Sequence, residues 1–264
     1  MKLRQIIKYW LYGKCPGLAG SFRYFGTRVH FPKESLSFKA ACQQGIFEAD
    51  NVSVLQALIR PGTLMFDVGA NIGLMAIPVL TADASCQVVS FDPSVNVLPS
   101  LRQTIAESPF GARWSLVEKA VGAALGTITF TLSSVANSLF DGIRPTQRVE
   151  SAAQVQVEMT TLDAEWARLG KPAVSLIKID VEGAESEVLR GAAECLRAER
   201  PFVLLEWNRQ NLAAYDCPPD FLLQFATGAG YEVLAVPGLH PVKNKHQLKL
   251  HMAFTENFLL SPPS

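Results

Sequence analysis

Phe66-Asp67-Val68-Gly69-Ala70-Asn71-Ile72-Gly73 reads as an apolar strand that ends in an acid and breaks into a glycine turn. Two later runs repeat the design: Val88-Val89-Ser90-Phe91-Asp92-Pro93 and Leu176-Ile177-Lys178-Ile179-Asp180-Val181-Glu182-Gly183-Ala184-Glu185. Each closes a short apolar strand with a carboxylate and then a turn. Strand ends of this kind, spaced along an alternating α/β chain, gather at one edge of a parallel sheet, where nucleotide-type ligands bind.

Working outward, helical spacing of Val52, Leu55 and Leu58-Ile59 places a helix over 48–60, stopped by Pro61-Gly62. Residues 63–68 form the first core strand, apolar enough to be buried on both faces. A helix over 73–80, a strand over 87–91, a helix over 94–107 and a strand over 114–118 follow. Strands over 127–133 and 155–160 are expected to pair across a loop at 134–153, with Asn137-Ser138-Leu139 placed to reach over the site. A short helix over 164–169, a strand over 174–179, a helix over 184–198, a strand over 202–206 and a helix over 221–228 come next. Strands over 231–236 and 249–255 would close the chain as a hairpin. The expected fold is α/β: a Rossmann-like, doubly wound, mostly parallel sheet with an antiparallel terminal hairpin.

Composition agrees. The 264 residues are 48% hydrophobic, enough for one compact domain with a small addition. Net charge is zero, which gives nucleic acid no bulk attraction. The charge is uneven, however. Residues 1–33 hold Lys2, Arg4, Lys8, Lys14, Arg23, Arg28 and Lys33 and no acid, leaving the remainder at a net of −7. This basic N-terminal extension (1–45) either lies along an anionic surface as an amphipathic arm or packs as a surface helix on its own domain (46–264). No apolar run is long enough to span a membrane, and no small-residue cleavage site follows the start. Cys15, Cys42, Cys86, Cys195 and Cys217 are odd in number and lack zinc spacing, as reduced cytoplasmic thiols would be.

The glycine turn separates two ligand classes. A dinucleotide fingerprint needs G-x-G-x-x-G, whereas Gly69 and Gly73 stand as G-x-x-x-G with Asn71 in the middle. That favours S-adenosylmethionine. Gly69, Ala70, Asn71 and Gly73 would let its methionyl carboxylate approach the backbone, and Asp67 would meet its ammonium. Asp92, 25 residues after Asp67, would take both ribose hydroxyls, with Pro93 fixing the next turn. Glu118, Lys119, Ala120 and Val121 at the third strand end would border the adenine.

These runs, together with Ala120-Val121-Gly122 and Thr161-Leu162-Asp163, resemble the FkbM family of methyltransferases from about Tyr24 to Trp207. The resemblance implies a class I, S-adenosylmethionine-dependent methyltransferase domain over 46–264 that acts on hydroxyls of small molecules or glycans, sugar and polyketide acceptors being known in the family. One departure is Asp92, where the family more often has Glu. Asp180, at the strand end that faces the methyl group, is then the candidate general base or the group that aims the acceptor hydroxyl. Lys178 points to the same side two residues earlier. Glu182 would contact the acceptor, Glu206 at the end of the fifth strand would join the catalytic acids or form a loop salt bridge, and Glu185 would favour the helix dipole. Asp180, Glu182 and Glu206 offer oxygen ligands to a divalent cation, but acid clusters at strand ends also work without one, and no metal is assigned. His30, His240, His246 and His251 are scattered. Two rival readings are a nucleic-acid methyltransferase, disfavoured by neutral charge and the lack of an Asn-Pro-Pro-aromatic run, and a membrane-docked protein that binds the cofactor without catalysis.

Overall fold

Leu64–Val68 and Val174–Ile179 are buried at every residue, and they lie side by side in the middle of the main sheet. The computed structural model describes residues 3–15, 19–145 and 153–263. Its helices are α1 (Leu3–Lys14), α2 (Leu36–Gln44), α3 (Ala49–Leu58), α4 (Ala76–Ala82), α5 (Leu98–Glu107), α6 (Leu162–Arg168), α7 (Glu185–Arg190), α8 (Ala193–Glu199), α9 (Arg209–Ala214), α10 (Phe221–Ala229) and α11 (Lys245–His251). Its strands are β1 (Ser21–Tyr24), β2 (Thr27–His30), β3 (Leu64–Val68), β4 (Gln87–Phe91), β5 (Trp114–Val117), β6 (Ala120–Val121), β7 (Gly126–Leu132), β8 (Ala153–Thr160), β9 (Val174–Ile179), β10 (Phe202–Glu206), β11 (Glu232–Ala235), β12 (His240–Pro241) and β13 (Asn257–Ser261).

The main sheet runs β12-β11-β13-β10-β9-β3-β4-β5. Pairs from β5 through β10 are parallel, while β13 is antiparallel to both β10 and β11. Strand order reverses between β3 and β9, so the crevice beyond their C-terminal ends is the topological switch point where ligands bind in open α/β sheets. Period-two alternation sorts the strand residues onto two faces. Phe66, Phe91, Ile177 and Leu205 join one core with α6, α7, α8 and α10 residues; Met65, Val88, Leu176 and Leu204 join the other with α3 and α4. The second core also takes Phe22, Tyr24, Val29, Phe38 and Cys42 from β1, β2 and α2, and Phe31 just after β2, so much of the N-terminal segment packs directly on the sheet domain.

The fold expected from the sequence is present, and β7 and β8 pair as anticipated, in antiparallel register. Residues 146–152, the C-terminal part of the expected loop, and Lys2 lie outside the described residues. Three expectations need correction. Residues 249–255 are not a strand. They fall in and after α11, which the Asn244 side chain caps by accepting from the Gln247 N–H at 3.0 Å. Leu250 and Phe254 are exposed, and the antiparallel strand is β13, with Phe258, Leu259 and Leu260 buried. The helix over 184–198 is two helices. A Cβ on Gly191 would lie 2.0 Å from the Gly122 carbonyl oxygen, and Asp163 caps α8 from outside by accepting from the N–H groups of Glu194 and Cys195 at 2.9 and 2.8 Å. The helix after the glycine turn begins at Ala76 rather than Gly73, because Gly69, Asn71 and Gly73 all have positive φ and hold residues 69–73 as a turn.

Candidate functional site

A cavity enclosing about 830 Å³, mouth included, opens at the C-terminal ends of β3, β4 and β9. Its walls include Gly69, Ala70, Asn71, Asp92, Pro93, Ala120, Val121, Lys178, Asp180 and Glu182, so most of the site residues expected from the sequence face one space. Asp67, Gly73 and Glu206 stand behind the wall rather than in it. Glu118 is turned away into an ion pair with Arg102.

The glycine turn is built around two neighbouring strand ends. The N–H groups of Gly69 and Ala70 both donate to the Phe91 carbonyl at 3.0 Å, and the Asn71 N–H donates to Asp92 Oδ2 at 2.8 Å. Gly69 has φ +76°, and a Cβ there would lie 1.8 Å from the Asp180 carbonyl oxygen. Only glycine lets β3 and β9 approach this closely where the chain leaves the sheet. At Gly73 a Cβ would strike the Trp114 ring, so that glycine serves packing.

Asp92 is buried. Its Oδ2 holds Asn71 and its Oδ1 accepts from the Ser94 N–H at 2.9 Å, the local turn that Asp-Pro-Ser encodes. Burial pushes its carboxyl up to about 7, against the pull of those two N–H groups. Behind it, Asp141 accepts from the Ser133 N–H, the Ser94 hydroxyl and the Asn96 amide. This pins the turn Val135–Phe140 and brings Ser138 and Leu139 into the cavity wall, as expected of the segment 137–139. The Ser37 hydroxyl donates to Asn71 Oδ1 at 2.7 Å, so α2 also closes the cavity.

Lys178 is buried, and its Nζ donates to the Gly69 carbonyl at 2.8 Å, with Asp180 Oδ2 at 3.4 Å and Asp67 Oδ1 at 3.9 Å. Burial alone would lower its pKa. Asp180, Asp67 and Glu48 together outweigh burial and raise it, so the ammonium stays charged. Asp67 is fully buried beneath the turn, accepting from the Ser90 hydroxyl at 3.2 Å, and burial raises its pKa. Its charge meets the cavity through Lys178 rather than directly. Asp180 has a side chain 26% exposed, against 8% for Lys178 beside it, and is the more accessible charge of the pair.

The carboxylate oxygens of Asp180, Glu182 and Glu206 lie within 4.8 Å of one another. Asn211 on α9 bridges two of them, donating to Glu182 Oε2 at 3.0 Å and Glu206 Oε2 at 2.8 Å. Burial first, then the neighbouring acids, holds Glu206 well above the ordinary carboxylate range. Glu185 faces the turn rather than the cavity: its Oε1 accepts from the N–H groups of Val181 and Gly183 at 3.1 Å, and burial lifts it to about 7. Glu48 borders a small recess with Asp180, Lys178 and Glu206, and burial and then Asp180 raise its pKa.

Sequence reasoning missed Ser37, Glu48, Ser94, Asp141 and Asn211. Only Ser94 had a local signal, the Asp-Pro-Ser turn; Asn211 binds Glu206 five residues earlier and Glu182 from afar, and the others reach the site through tertiary contacts.

A family model described as the methyltransferase FkbM domain matches residues 67–233. The 2-O-methyltransferase NoeI of Sinorhizobium fredii is 27% identical over 203 residues, covering 69% of this chain and 82% of that protein. Among solved structures, methyltransferase FkbM from Methylobacillus flagellatus KT aligns with a TM-score of 0.48 at 13% identity. The alignment covers 85% of this chain and 54% of that one, so the chain spans about half that structure's length. Precorrin-6y C5,15-methyltransferase from Geobacter metallireducens GS-15 aligns with a TM-score of 0.43 at 13% identity, over 71% of this chain and 72% of that one.

Proposed function

The chain belongs to the FkbM methyltransferase family, and on that premise we propose that it moves a methyl group from S-adenosylmethionine to a hydroxyl of a small molecule or glycan. The observation that carries this reading is one cavity at the switch point with Asp92 on the β4 side and Asp180 on the β9 side, separated by the Gly69 turn. A relative named as a 2-O-methyltransferase supports an oxygen acceptor.

The residues present fit this cofactor. Asp92 has lone pairs left, beyond those used by Asn71 and Ser94, to accept ribose hydroxyls. Ala120 and Val121, with Phe91 and Leu139, give an apolar slot for a flat ring. Gly69, Ala70, Asn71 and Pro93 border the same space. When bound, the cofactor supplies the methyl group on a sulfonium, ready for in-line displacement.

The protein's own work is to orient the acceptor and to take its proton. Asp180 accepts the hydroxyl proton at a carboxylate oxygen as the new C–O bond forms. Lys178, anchored on the Gly69 carbonyl, fixes the Asp180 carboxylate and ties it to the glycine turn. Glu182, oriented by Asn211, contacts other hydroxyls of the acceptor, and Glu206 supports it from behind.

Two experiments test this. Calorimetric titration with S-adenosylhomocysteine should show one-to-one binding, with NADH silent; the reverse preference would overturn the cofactor assignment. Asp180→Ala should lower turnover about 10²–10⁴-fold while S-adenosylhomocysteine affinity stays within about threefold of the wild type. Turnover within tenfold of the wild type would remove Asp180 from the mechanism.

A further inference from the structure

Helix α1 is mounted with its apolar face outward. Gln5 donates to the Gln43 carbonyl, Lys8 Nζ sits 5.0 Å from the centre of the Phe22 ring, and the Tyr9 ring stacks on Phe38 at 5.8 Å. Polar and aromatic groups thus hold the helix to α2 and β1. The opposite face carries Leu3, Ile6, Ile7 and Trp10, which are 71%, 46%, 48% and 57% exposed. Their spacing of i, i+3, i+4 and i+7 makes one continuous stripe within an arc of about 100°. A helix whose only task was to cover its own domain would turn that stripe inward, yet no α1 residue is buried.

We infer that α1 docks the protein on an anionic membrane surface, lying in the plane of the interface with Leu3, Ile6, Ile7 and Trp10 inserted. Charge selects this occupant. Residues 1–33 carry seven cations and no acid, and Arg4 and Lys14 are exposed on α1 itself. A second copy of the chain seated on the same stripe would bring two such basic segments together, which opposes association. An anionic bilayer attracts them, while its headgroup region accepts the apolar stripe and favours Trp at the boundary. Twelve residues are too few to span a bilayer, so the helix lies along it. The inference rests on α1 and the basic charge of residues 1–33 and is independent of methyl transfer.

The test is co-sedimentation of the full chain with phosphatidylcholine vesicles, with and without phosphatidylglycerol. The protein should bind the anionic vesicles and leave the neutral ones. Replacing Arg4 and Lys14 by Gln should weaken binding about fivefold for each charge removed. Combined Ile6→Ser, Ile7→Ser and Trp10→Ala should weaken it tenfold or more, with the circular-dichroism spectrum and melting curve unchanged. Each of three results would overturn the inference: no binding to anionic vesicles, equal binding to neutral ones, or a lipid-free dimer that the triple substitution dissociates, which would give the face to a second copy.

Discussion

Replacing Asp92 by Asn should change how stability depends on pH, in a direction the site's geometry fixes. The Asp92 carboxyl is raised from 3.8 to about 7, mainly by burial. A carboxyl raised in the folded protein favours folding fully only below its unfolded value, and that contribution is lost as pH climbs through the folded value. Three units correspond to roughly 4 kcal/mol in total, of which about 2.5 kcal/mol is lost between pH 5 and pH 8. The Asn variant cannot ionise. Its amide oxygen can serve only one of the two N–H groups that now bind Asp92, and its NH₂ meets the other, a pH-independent cost of roughly 1–3 kcal/mol. Relative to the Asn variant, the wild type should therefore lose about 2.5 kcal/mol of stability between pH 5 and pH 8. Glu185 is also raised to about 7, but it titrates in both proteins and cancels in the difference. Urea unfolding of the cofactor-free protein at both pH values reads the difference directly. Parallel pH profiles for the two proteins would refute the burial argument.

The joint between the glycine turn and β9 makes two further predictions. Gly69→Ala places a Cβ against backbone that cannot rotate away, and it also carries the left-handed cost of about 1–2 kcal/mol. Unfolding should show a loss of roughly 3 kcal/mol or more, with cofactor-product affinity lost as well; a loss under about 1 kcal/mol would show that β3 and β9 separate easily. Lys178→Met removes the donor to the Gly69 carbonyl and the cation beside buried Asp67, and should cost roughly 3–5 kcal/mol. Adding Asp67→Asn should recover part of that loss in a double-mutant cycle, and strict additivity would mean the two side chains are not coupled.

The parallel strands were legible because each is a short, nearly continuous apolar run ended by an acid, and burial on both faces demands that composition. Strands 87–91, 174–179 and 202–206 match the structure residue for residue. The C-terminal region was harder. Lys249-Leu250-His251-Met252 alternates like a strand, yet the helix there is decided by the Asn244 cap and one buried residue, Leu248. The split between α7 and α8 depends on Asp163 and Gly122, which reach it from other parts of the chain. In the site, residues attached to strand ends were readable because topology carries them to one edge. Asn211 and Glu48 were not, since nothing near them in sequence says that Glu182 or Lys178 will be their neighbours. The depth of Asp67 was also hidden, because a strand-terminal acid looks the same whether it faces ligand or lysine.

The place of β13 bears on how the chain assembles as it is made. It fits between β10 and β11, so β11 has no seat in the sheet until β13 exists. During synthesis, β3, β4, β5, β9 and β10 can pair as they emerge, leaving one raw edge on β10 and β11 waiting apart from it. Both edges are hydrogen-bonding templates for the wrong partner. β13 is thus the strand that seals this side of the sheet, and until it has emerged β10 keeps an unpaired edge.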